Sequence, residues 1–125
     1  MVRLATVAAE QAPAVASAPQ SIDRRHLARM TLGDNKLERE VLQLFDRQAT
    51  LLLARMRQVE PAAVSTLAHT LKGSARGIGA WDVARAAEAV ELADGVAAER
   101  ETAMNGLVSA VDAARAIIAE LLRAH

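Results

Sequence analysis

Apolar positions in this chain recur at intervals of three and four from about Ile22 onward, and no segment alternates apolar and polar residues as a half-buried strand does. Asp23 is placed to cap a short first helix, Arg24 to Thr31, which Gly33 terminates. Asp34 or Asn35 caps a long second helix, with Leu37, Val41, Leu44, Phe45, Leu52, Met56 and Val59 as its apolar stripe. Glu60-Pro61 interrupts it, because the residue before a proline disfavours helix while proline itself suits a first helical position. The third helix runs from about Pro61 to Ile78, and Gly77 and Gly79 end it. Trp81 or Asp82 opens a fourth, lasting to about Asp94, and after Gly95 a fifth covers about Ala98 to Arg123. Along the fifth, Met104, Leu107, Val111, Ala114, Ile118 and Leu121 form a narrow seam suited to antiparallel packing. The pattern predicts an all-α fold: an antiparallel up-and-down four-helix bundle with a short additional N-terminal helix.

Residues 1–20 stand apart from this pattern. Pro13 and Pro19 lie among small residues, so this stretch is expected to be a flexible Ala/Pro-rich tail, with residues 21–125 as the bundle domain. Glu10 and Gln11 cut short the apolar run that a secretory signal needs, which favours a tail over an export signal.

Composition sharpens the picture in three respects. Hydrophobic residues make up 52% of the chain but aromatics only 2%, so the core must be built from Ala, Leu, Val and Ile, which suits closely packed helices. The 15 basic and 15 acidic residues balance, which leaves neither the basic excess that nucleic acid attracts nor a polybasic membrane anchor. No apolar run approaches the roughly 20 residues of a spanning helix, so neither nucleic acid nor membrane is expected as a partner. Cysteine is absent, which excludes disulfides, thiol catalysis and Cys-based zinc sites and accords with a cytoplasmic protein. A monomer is expected, because one bundle hides the visible apolar stripes and leaves no large patch.

Candidate chemistry concentrates on the third helix. Val64, Leu67, Leu71, Ala75 and Ile78 define its buried stripe. His69 is two residues from both Leu67 and Leu71, so at roughly 100° per residue it points about 160° away from each, toward solvent. Lys72 and Gly73 follow at three and four residues, and Arg76 at seven, on the same exposed face. An imidazole in solvent titrates at about 6.5, so a neutral, nucleophilic nitrogen is abundant at cellular pH. Lys72 can balance the charge of phosphoryl oxygens, and Arg76 can add a longer-range contact. Glycine inside a helix costs about 1 kcal/mol relative to alanine, so Gly73 calls for a reason. An open approach to the His69 ring for another protein is one. The plainer reading is a surface histidine among solvated cations, with Gly73 serving close helix packing.

The run Ala68-His69-Thr70-Leu71-Lys72-Gly73-Ser74-Ala75, followed by Gly79-Ala80, resembles the signature of histidine-containing phosphotransfer (HPt) domains of two-component phosphorelays. Val90-Glu91 sits where that family has an apolar-Glu pair on the next helix, and Ile22 to Gln48 looks like the start of such domains. The resemblance spans about residues 22–123. It implies a helical bundle whose histidine accepts phosphate from an aspartyl phosphate on a receiver domain and passes it to another receiver. His69 would be the phosphoacceptor, Lys72 its charge-stabilising neighbour and Gly73 the small position that gives access. Attack would come from Nε2, with Nδ1 held by a hydrogen bond whose acceptor the sequence does not identify. The expected partners are response-regulator receiver domains and a hybrid histidine kinase. The receiver would bring the acidic pocket and its Mg²⁺, so no cofactor and no metal site are expected in this chain, which would be a phosphocarrier rather than an enzyme. Arg76 and Gly77 depart from the small or amide residues of many relatives, and Arg76 is a candidate partner contact or a solvated residue.

His26 and His125 lack Lys-Gly spacing behind them and read as structural or solvated; with His69 they form no zinc pattern. The rival reading is a helical adaptor that binds a receiver or kinase through the same face without carrying phosphate. An enzyme is disfavoured by the lack of a nucleotide-binding glycine loop or an Asp/Asn metal set.

Overall fold

The computed structural model describes residues 21–93 and 95–124. The tail expectation for residues 1–20, the end of the fourth helix at Asp94, and His125 therefore lie outside the described residues. The rest folds into five helices: α1 (Arg24–Met30), α2 (Asn35–Met56), α3 (Pro61–Ile78), α4 (Trp81–Leu92) and α5 (Ala97–Ala124), with no strand among the described residues. The four long helices form an antiparallel up-and-down bundle. α3 lies between α2 and α4, α5 packs on α4 and α2, and α1 closes over α3.

Local chemistry explains most helix boundaries. Asp23 caps α1, its Oδ1 accepting from the His26 amide at 3.0 Å, and Asp34 rather than Asn35 caps α2 in the same way, accepting from Leu37 N at 3.0 Å. Pro61 begins α3 where its missing N–H costs nothing. Gly79, at φ 82°, ends α3 in the left-handed region, while the Ala80 amide donates to the Ala75 carbonyl at 2.8 Å. α4 runs to Leu92, and Gly95 (φ 91°) leads the chain into α5.

The core is rich in alanine. Ala49, Ala68, Ala75, Ala84, Ala87 and Ala114 are buried beside Leu42, Phe45, Leu71, Val83, Leu107 and Ile118, which lets the helix backbones approach closely. On α2 the buried face is Leu42, Phe45, Ala49, Leu52 and Met56, so two expected core residues, Leu37 and Leu44, are instead exposed. Apolar residues occupy nearly every side of this helix, so periodicity alone could not select the face that packing against α3 and α5 selects. On α3 the expected stripe is buried at Val64, Leu71, Ala75 and Ile78, with Ala68 fully buried in place of Leu67, which is only half-buried. The α5 seam forms as expected, and two side-chain links tie that helix to α2: Arg115 Nε to Asp46 Oδ1 at 2.6 Å, and Arg39 Nη1 to the Leu122 carbonyl at 2.8 Å.

Asp23 anchors α1 at the α3–α4 corner through two hydrogen bonds. Asp23 donates its amide to the Gly79 carbonyl at 2.8 Å, and its Oδ2 accepts from Trp81 Nε1 at 2.9 Å. Trp81 and then the helix-cap amide hold the Asp23 carboxyl below its ordinary value, against a smaller opposing effect of burial. His26 stacks edge-on against Trp81 with ring centroids 4.9 Å apart, and Ile22 and Leu27 are buried beneath. His26 is therefore structural.

Candidate functional site

α3 presents His69 outward at mid-helix because the core-facing residues Ala68 and Leu71 lie about 100° and about 160° from it round the helix. The imidazole side chain is 70% exposed. Its Nδ1 lies 2.9 Å from Glu91 Oε2, on the last turn of α4. Val90, immediately before Glu91, is buried in the core and anchors that turn, so the carboxylate reaches back across the α3–α4 groove to the ring.

The other carboxylate oxygen, Glu91 Oε1, lies 2.7 Å from Lys72 Nζ. The contact is a close ion pair rather than a well-aligned hydrogen bond. Lys72 is thus placed differently from the solvated cation that the helical wheel suggests. Its side chain is only 13% exposed, folded against the α3–α4 groove with its charge directed at Glu91. Glu91 in turn is 20% exposed. The Lys72 ammonium is the main influence that holds the Glu91 carboxyl below its ordinary value; burial works against it, and His69 adds to the lowering.

This chain of contacts has a chemical consequence. An ionised carboxylate is acceptor-only, so the hydrogen in the His69–Glu91 bond must sit on Nδ1. In the neutral ring that leaves the lone pair on Nε2, the nitrogen away from Glu91. Lys72 favours the ionised Glu91, Glu91 favours the Nδ1–H tautomer and orients the ring, and the Nε2 lone pair is left free to act as a nucleophile toward a partner.

The surroundings of the ring are bare. Gly73, one turn on from His69, is exposed, and an added Cβ there would meet no heavy atom within 4 Å. Gly77 continues the ridge with the same open space. Arg76 is exposed beside it, and its side chain has no hydrogen bond or ion pair among the described residues. Clefts occur away from His69, around Met56, Val64 and Met104 and between Leu92 and Ala103. The exposed ring beside the bare Gly73 makes an open face, which suits a protein partner better than an enclosed small molecule. No cluster of three His, Cys, Asp or Glu side chains able to hold a metal occurs among the described residues.

The structure thus brings His69, Lys72 and Gly73 to one face, with Arg76 one turn beyond Lys72. It adds Glu91, which the residue pattern did not nominate as a site residue. The only signal was the apolar-Glu pair Val90-Glu91, since 22 residues separate Glu91 from His69 and no spacing rule connects them.

Comparison with known proteins identifies the family. Residues 35–124 match the family model of the Hpt domain. Among solved structures, histidine phosphotransferase ShpA from Caulobacter crescentus is similar over 80% of this chain and 88% of its own, at 31% identity and a TM-score of 0.65. No curated protein sequence matches. The chain belongs to the Hpt domain family, the histidine phosphotransfer domains of phosphorelays.

Proposed function

We propose that this chain is a phosphocarrier in which His69 accepts a phosphoryl group from an aspartyl phosphate of a receiver domain and passes it to another receiver. The observation that carries this reading is the Lys72–Glu91–His69 chain of contacts, which presents a neutral, oriented Nε2 on an open face. In the forward step the Nε2 lone pair forms a bond to phosphorus as the bond from phosphorus to the aspartyl oxygen breaks, and the aspartate leaves as a carboxylate. The ring gains positive charge as it attacks. Glu91 faces that charge across the Nδ1–H bond and stabilises it, while Lys72 prevents Glu91 from taking the proton away. The reverse step, to a second receiver, runs through the same contacts.

Gly73 leaves room for the partner to bring its phosphoryl group into line with Nε2, and the exposed Arg76 would meet an acidic surface of the partner. The acidic pocket and Mg²⁺ belong to the receiver in this reading, so the chain needs no cofactor of its own. A cytoplasmic location follows from such partners, and no helix here is long and apolar enough to cross a membrane among the described residues. A hybrid histidine kinase is the expected upstream source.

The test is transfer of labelled phosphate from a phosphorylated receiver to the wild type and to His69→Gln. Label that reaches the wild type, survives alkali but not acid, and never appears on the variant supports the carrier. A receiver that binds both proteins while no label moves replaces it with the adaptor.

A further inference from the structure

We infer that the outer face of α2 is a self-association surface, through which two copies of this chain pair with their α2 helices antiparallel. It departs from the monomer expected on the ground that the bundle hides its apolar stripes, and it rests on α2 rather than on the His69 helix. Leu37, Leu44 and Leu51 are 40%, 57% and 59% exposed, and they recur every seven residues along one line of α2. Singly exposed leucines are ordinary on a protein surface, but three in register over two heptads form a continuous apolar stripe about 21 Å long. The buried residues of the helix, Leu42, Phe45, Ala49, Leu52 and Met56, centre about 120° away round the helix, and none of the three leucines belongs to the bundle core.

The charges between the leucines identify the occupant. Glu40 and Arg47 lie on the same exposed side and interleave with the stripe at spacings of three and four, giving the seam Leu37, Glu40, Leu44, Arg47, Leu51. Neither charge has an ion-pair partner among the described residues. A two-fold axis through Leu44 makes this seam self-complementary. Leu44 meets Leu44 of the second copy, Leu37 meets Leu51, and Glu40 comes within about 1.5 Å of the level of Arg47 along the helix axis. A parallel pairing would set the two Glu40 carboxylates side by side, and the two Arg47 guanidiniums likewise. The pattern therefore specifies both a like partner and its direction. Three half-exposed leucines and two rim ion pairs make a weak interface, one that forms reversibly and not an obligate dimer.

Sedimentation velocity on the full chain from about 1 to about 500 µM, the range where weak associations show themselves, tests this. The wild type is expected to shift from monomer toward dimer as concentration rises. Leu44→Asp should abolish the shift while far-UV circular dichroism stays unchanged, because the side chain supports no core contact. Glu40→Arg alone sets like charges against Arg47 at two symmetric places and should weaken association roughly tenfold. The double variant Glu40→Arg, Arg47→Glu should restore it. A wild type that stays monomeric throughout overturns the inference. So does a dimer indifferent to Leu44→Asp, or a double charge swap that fails to rescue. If Leu44→Asp leaves the mass unchanged but abolishes binding of a receiver domain, the stripe belongs to that partner and the self-association reading is wrong.

Discussion

Replacing Gly73 with alanine should make the protein more stable and worse at phosphoryl transfer. Gly73 lies inside α3 with an ordinary helical backbone, and a Cβ built on it meets no heavy atom within 4 Å. Nothing in the folded chain opposes the methyl group, so the variant collects the full helix-propensity difference of about 1 kcal/mol. For a domain of this size that corresponds to a rise in Tm of about 5 °C. No internal contact accounts for Gly73, which leaves room for a reason outside the chain. If that is a partner closing on His69, the same methyl stands one turn from the ring in the path of approach. Misplacing the reacting atoms by about 1 Å costs up to about 100-fold in rate, so transfer from a phosphorylated receiver should slow by about ten- to a hundredfold. Gly106 supplies the control, because it too lies within a helix, α5, with no atom within 4 Å of an added Cβ. Gly106→Ala should give a similar gain in Tm and leave transfer unchanged. Thermal melts and single-turnover transfer kinetics on the three proteins decide the matter. A Gly73→Ala protein that is stabilised yet transfers at the wild-type rate would refute the reasoning that this glycine is kept for access.

Three further outcomes follow from the contacts around the site and the α1 corner. Gly79→Ala should destabilise by about 2–4 kcal/mol in urea titration, because φ 82° is unfavourable to any side chain and the new Cβ would sit 2.9 Å from the Asp23 carbonyl oxygen; loss of the Trp81–Asp23 bond should register as a change in the fluorescence of Trp81, the sole tryptophan. Glu91→Gln should slow transfer, because a neutral amide no longer fixes the proton on Nδ1. It should also flatten the acid side of the stability curve: the Glu91 carboxyl is lowered from 4.5 in the folded protein, so its contribution is complete above about that pH and is lost as pH falls through the folded value. Lys72→Met removes the main influence on Glu91 and should raise that carboxyl toward its ordinary value, which carbon-detected NMR titration of the Glu91 side chain reads directly.

Most helix boundaries were legible in the chain because they depend on local chemistry. Asp23, Asp34, Pro61 and Gly79 act within one turn of themselves, and Pro61–Ile78 emerges with the limits that the residues suggest. The buried face of α2 was not legible, because leucine and valine occur on almost every side of it and alanine, which fills much of this core, carries little pattern. On α3 the polar face was clear enough to point His69 outward. The burial of Lys72 was not, since it arises from Glu91 on another helix. The same holds for the corner where Asp23, His26, Gly79 and Trp81 meet: each residue has a plain local reading, and the bonds between them form only when α1 folds over α3. Residues within a helical turn could be read from spacing. Contacts between helices needed the fold, or a resemblance that already contained it.

The central claim is that Nε2 of His69 carries the phosphoryl group while Nδ1 keeps its proton toward Glu91. Its most direct test is long-range ¹H–¹⁵N NMR of the imidazole rings, with ³¹P coupling, before and after phosphorylation by a receiver. The free ring of His69 is expected to be protonated at Nδ1, and after transfer the phosphorus is expected to couple to Nε2 of His69 alone. Phosphorus on Nδ1, on another residue, or on a ring whose free form carries its proton at Nε2 would contradict it.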